Sequence, residues 1–151
     1  MGRRTKAREC AFQILYQREI TREEMPQVIQ AFWLVRSGTP QMRAMAERLA
    51  LGADGRVADL DRSIVAAASN WRLDRMAAVD RTILRLGAYE LVAEPETPPA
   101  VVLDEAIELA KRFGEADSPA FVNGVLDAIR EQLLGPSVRR KKDAAKGGNA
   151  G

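Results

Sequence analysis

The sequence holds no histidine and a single cysteine, Cys10, among its 151 residues. The first absence removes the commonest general base and the commonest metal ligand. The second excludes an internal disulfide and a cysteine-rich zinc site. No run approaches the roughly 20 apolar residues of a membrane span. The N-terminus lacks the apolar region of a signal peptide, so a cytoplasmic protein is expected. Neither phosphate-cradling glycine pattern, G-x-x-x-x-G-K-S/T or G-x-G-x-x-G, occurs, and GADGR at 52–56 is too short for either. Asp59 and Asp61 stand two apart, point to different sides of a helix, and read as a solvated face. Neither catalysis, nor a cofactor, nor a metal site is expected.

What is present is helix. Ala, Leu, Arg and Glu dominate, apolar residues recur at three and four, and strand signals are nearly absent. Helix 1 is expected over about 4–20, with Ala7, Cys10, Ala11, Ile14 and Leu15 inward. A second covers about 24–37 and buries Val28, Ile29, Phe32 and Val35. Gly38 reads as its C-terminal stop and Pro40 as the first turn of the next helix. From Met42 to Trp71 the apolar steps run with few breaks, which predicts one helix over 41–70 despite Gly52 and Gly55; the alternative is two helices with a turn at GADG. A fourth segment spans about 74–92, as one helix or as a short one leading into a longer one, and EPETPP at 94–99 breaks it. Two closing helices follow, one ending at Gly114. The other starts at Ser118-Pro119, buries Val122, Val125, Leu126, Ile129 and Leu133, and stops at Gly135. The expected fold is an all-α bundle of six or seven helices.

The net charge of +2 is unevenly spread. Residues 1–9 carry +3 and residues 137–151 carry +4, which leaves −5 for the body between them. A helical domain over 1–136 and a basic, disordered tail over 137–151 are expected. Basic arms suit nucleic acid, and an acidic body suits a basic partner. The arm is odd in one respect. Arg3, Arg4, Lys6 and Arg8 fall in the first turns of helix 1, where the helix dipole is already positive, and Arg4 and Arg8 repel at i, i+4. An external polyanion would relieve both costs. On a helical wheel Arg8, Phe12 and Tyr16 form a stripe off the core face. Phe12 has a second reading, burial against a neighbouring helix. Phe121 also points away from its helix's apolar stripe. Rings beside cations suit single-stranded RNA, whose bases stack on aromatic faces. Asp117 is expected to cap that last helix, and Gly124 to permit close helix contact.

Four stretches, RRTKARECAFQILYQ, AAVDRTILRLGAYEL, AVVLDEAIELAKRFG and DSPAFVNGVLD, together resemble the NusB-type transcription antitermination factors over about residues 3–130. The resemblance implies an all-α fold in two small halves. It implies RNA binding to the boxA segment of ribosomal RNA transcripts, together with NusE, a small-subunit ribosomal protein, within an antitermination complex on RNA polymerase. It marks Arg3, Arg4, Lys6 and Arg8 as the RNA-binding arm and Tyr16 and Phe121 as aromatic contacts, with Asp117 and Asn123 at the rim. Asp80 falls on the side expected to face NusE. Ala68 departs from the pattern where some relatives carry an aromatic contact, a role that Arg72 could take. A homodimer and a monomer both fit. The same helical domain also resembles the leading domain of certain ribosomal RNA methyltransferases, and a protein-only scaffold is the third reading.

Overall fold

The computed structural model describes residues 2–135, and the expected basic tail at 137–151 lies outside them. Among the described residues there are seven α-helices, one single 3-10 turn and no strand. The helices are α1 (Arg3–Thr21), α2 (Met25–Val35), α3 (Pro40–Gly55), α4 (Val57–Ala67), α5 (Ala78–Ala93), α6 (Pro99–Phe113) and α7 (Ser118–Leu134). The 3-10 turn, Leu73–Arg75, lies between α4 and α5. α1–α3 make one half and α4–α7 the other. Their hub is α5, which touches α1, α3, α4, α6 and α7. Its sequence suits that position, because Ile83, Leu84, Leu86, Gly87, Ala88 and Tyr89 bury most of its circumference.

The single helix expected over 41–70 divides at Arg56, whose backbone (φ −116°, ψ 18°) leaves the helical basin while its N–H still reaches Ala53 O. A straight rod of that length would run about 45 Å, well beyond the width of a small domain. The bend keeps Leu49 and Ala53 on one side, and Leu60 and Ile64 on the other, within the same core. Gly52 and Gly55 lower the cost of placing it there.

Three inward assignments fail. Val35 and Leu133 are exposed because each sits in the last turn of its helix, past the neighbour that would cover it. Trp71, counted as the end of the long apolar seam, lies beyond α4 and is 55% exposed. Gly124 is exposed, and a Cβ there would meet nothing within 4 Å, so it permits no close helix contact.

Ion pairs staple the elements that the core alone does not align. Arg85 grips Asp61 through Nε (2.8 Å) and Nη2 (3.0 Å), tying α5 to α4. Asp61 is therefore half-buried and engaged, whereas Asp59 stays on the solvated face as expected. Arg81 pairs with Glu19 of α1, and its Nη1 donates to Leu73 O (3.0 Å) and Met76 O (2.9 Å). One guanidinium thus fixes the turn that leads away from Trp71.

Candidate nucleic-acid interface

Helix α1 starts at Arg3 with no side-chain cap and no acidic residue in its first turn, so its leading N–H groups stay available to an anion. Arg3, Arg4 and Lys6 are exposed. Arg8 is not. It is 2% exposed, its Nε donates to both carboxylate oxygens of Glu90 (2.8 and 3.1 Å), and its Nη1 lies 3.6 Å from Glu105. Arg8 therefore leaves the exposed stripe in which it was placed. Thr5 Oγ1 donates to the same Glu105 at 2.7 Å. Through Arg8 and Thr5 the arm is clamped onto α5 and α6.

The wheel failed for a definable reason. It assumes one buried face, but α1 packs against α2, α3, α5 and α6, and residues 7–12 are buried without interruption. Phe12 is accordingly core, against Phe113 at a centroid distance of 5.1 Å. Glu9 is buried too, and Arg112 at 2.9 Å and Arg36 at 3.8 Å keep its charge partnered. Tyr16 is half-buried and stacks on Phe12, with ring centres 6.0 Å apart. Burial pushes the Cys10 thiol above its ordinary pKa, which leaves it an inert core residue.

Helix α6 runs from the arm to a second cluster. Its middle holds Glu105, under the arm; its last turn holds exposed Lys111 and Arg112, the latter 5.1 Å above the Phe113 ring. The chain then turns through Gly114, where a Cβ would come within 2.6 Å of Ser118. The Ser118 hydroxyl accepts the Glu115 N–H at 2.9 Å and closes the turn. Asp117 sits at the N-cap of α7 but makes no side-chain cap bond and is exposed, as is Asn123. Phe121, half-buried in the first turn, meets Trp71 edge-on at 5.4 Å with an interplanar angle of 65°. Arg72 is exposed and pairs with Asp74 at 2.9 Å. Ala68 is buried, so its side chain offers nothing to a ligand. Asp80 is in the first turn of α5, half-buried, with Oδ1 unpartnered among the described residues.

The structure places Phe121, Asp117 and Asn123 at the start of α7, with Trp71 against Phe121 and Arg72 next to it in the chain. Arg3, Arg4 and Lys6 stand instead at the start of α1, with Arg4 beside Met45, Arg48 and residues 93–97. Sequence reasoning missed Trp71, Lys111 and Arg112. Trp71 fitted an apolar step of four, and the only contrary signal was the Ser69-Asn70 pair before it. Lys111 and Arg112 sit where a helix C-terminus favours cations in any case.

Exposed cations at an uncapped helix start, and a half-buried ring at the start of another helix, are the surface chemistry of an all-helical nucleic-acid-binding protein. Comparison with known proteins makes the class specific: the NusB family model matches residues 5–131, and the chain belongs to the NusB family of transcription antitermination proteins. The transcription antitermination protein NusB of Sorangium cellulosum is 50% identical over 133 residues, covering 88% of this chain and 95% of that one. Among solved structures, T. maritima NusB superposes with a TM-score of 0.79 at 36% identity, over 87% of this chain and 92% of that one. A chain from the crystal structure of NusB and NusE in complex with double-stranded RNA gives a TM-score of 0.80 at 27% identity, over 87% and 98%.

Proposed function

We propose that this chain binds the boxA segment of ribosomal RNA transcripts together with NusE, and that the pair joins the antitermination complex on RNA polymerase. The observation that carries the reading is the start of α1, with three exposed cations at an uncapped, dipole-positive helix end clamped from beneath by Arg8 and Thr5, on a chain that also presents Phe121 at the start of α7. Backbone phosphates meet Arg3, Arg4 and Lys6, while Tyr16 and Phe121 offer ring surface and Arg72, Asp117 and Asn123 form the rim. Arg8 acts from beneath, by holding the arm. Asp80 serves the NusE side, where a basic partner meets the acidic body. The relative solved with NusE and RNA supports both partners.

Titration of a boxA RNA, with and without NusE, over a range of salt concentrations tests this. The expected result is binding that weakens linearly in log–log form as salt rises, and tightens when NusE is added. Equal affinity for boxA and a scrambled sequence in the presence of NusE would overturn the boxA assignment. A homodimer that covers the arm would appear as RNA binding that weakens as protein self-association increases.

A further inference from the structure

Trp71 is the exposed aromatic that the reading above does not use. Large rings are normally withdrawn from water, at about 25 cal/mol for each Å² of apolar surface buried. This one is 55% exposed, although the backbone around it is tightly held. The Trp71 N–H donates to Ala68 O at 2.9 Å, and Arg81 ties down the carbonyls of Leu73 and Met76 just beyond. The indole is therefore presented by a fixed turn. Phe121 meets it in a T-shaped contact at 65°, in which the edge of one ring covers one face of the other, so this contact covers at most one of the two indole faces. Exposed Arg72 adds a cation beside it.

We propose that Trp71, backed by Phe121, is a stacking platform for an unpaired nucleobase of single-stranded RNA. The inference rests on the RNA-binding reading above and adds a residue to it. Duplex bases have both faces occupied by their neighbours, whereas a single strand can splay a base onto an indole. The contact is to a base and involves no phosphate, so it contributes affinity without contributing to the salt dependence.

The chain contains two tryptophans, and Trp33 is half-buried beneath Arg43, so Trp33→Phe leaves Trp71 as the sole reporter. A short single-stranded boxA RNA is expected to quench that emission, and the same RNA annealed to its complement is expected to bind without quenching it. Trp71→Ala is expected to lose about 5- to 150-fold in affinity, the effect of removing one base–aromatic stack, with an unchanged salt slope. Trp71→Phe should retain most of the binding. If Trp33→Phe does not fold, the difference in emission between wild type and Trp71→Phe gives the same reading. Binding of end-labelled RNA with Trp71 emission unmoved, and Trp71→Ala within twofold of wild type, would overturn this inference and leave the RNA reading standing. Quenching by NusE alone and not by RNA would assign the ring to a protein interface and overturn it as well. Failure of labelled RNA to bind at low salt, even with NusE, would remove the RNA reading and the stacking site together.

Discussion

A guanidinium held between two carboxylates and shut off from water matters chiefly through what its removal leaves behind. Without Arg8, the Glu90 carboxyl would be left buried with no counter-ion, and among the described residues Thr5 would be the one remaining tie from the arm to Glu105. Breaking a buried pair from one side typically costs about 3–5 kcal/mol. Arg8→Ala is therefore expected to destabilise by about that amount in urea unfolding, while Arg3→Ala, on an exposed neighbour, leaves the midpoint nearly unchanged. A double change, Arg8→Met with Glu90→Leu, should recover much of the loss, because no fully buried charge is stranded and Glu105, which also loses Arg8, is partly exposed. Glu90 also carries a pH signature. Burial raises its pKa above the ordinary carboxylate range, against the pull of Arg8 and with small help from Glu94 and Glu105. Between the ordinary value and the raised one, the folded chain holds a proton that the unfolded chain has released. Stability attributable to this group consequently falls as pH rises through that interval. Unfolding curves of wild type and Glu90→Gln, compared over about pH 4 to 8, should show wild type losing ground to the variant as pH rises. A difference that does not change with pH would mean that Glu90 ionises as it does in the unfolded chain.

At the scale of elements, punctuation proved more legible than faces. Glycine marked the ends of α6 and α7, and proline the starts of α3, α6 and α7, because those residues act on the local backbone whatever packs around it, whereas α2 ends three residues before Gly38. Inward faces were legible where a helix has one covered side, as on α7, where Val122, Val125, Leu126 and Ile129 are all buried. On α1 the expected inward residues Ala7, Cys10, Ala11, Ile14 and Leu15 are all buried, but neighbours surround the helix, so Arg8, Glu9 and Phe12 are buried as well, and a polar residue there is balanced by a partner far along the chain. Arg8 and Glu90 are 82 positions apart, and no local pattern announces such a pair. The same reasoning explains why three of the arm's cations were correctly read as exposed and the fourth was not. Packing separates glycines that look alike in sequence. A Cβ at Gly52 would come within 2.1 Å of the Tyr89 ring, which is itself buried in α5, so Gly52→Ala is expected to destabilise by about 1–3 kcal/mol through overpacking, despite the better helix propensity of alanine. Gly124→Ala has open space around it within α7 and is expected to stabilise by up to about 1 kcal/mol. Thermal unfolding of the two variants should move in opposite directions.

For the whole molecule, the arrangement of charge matters more than its sum. A net +2 would steer nothing, but +3 in the first nine residues, set against an acidic body, is a local field at one end of α1. The clamp beneath the arm gives this field a fixed position, since the arm's backbone is already helical from Arg3 onward and need not be ordered on binding. Arg3, Arg4 and Lys6 are exposed, and none takes part in an ion pair among the described residues, so their counter-ions are free to leave when phosphates arrive. For single strands each neutralised phosphate contributes about −0.7 to the slope of log affinity against log salt. Replacing all three with alanine is therefore expected to flatten the slope by about 2. The melting temperature should hold or rise slightly, because mutual repulsion at a dipole-positive helix end is removed along with the charges. The Trp71→Ala variant supplies the contrast, with affinity lost at every salt concentration and the slope intact. If the triple variant instead binds RNA with the wild-type slope, the cations that meet phosphate lie elsewhere; Lys111 and Arg112, in the last turn of α6, would be the next to replace.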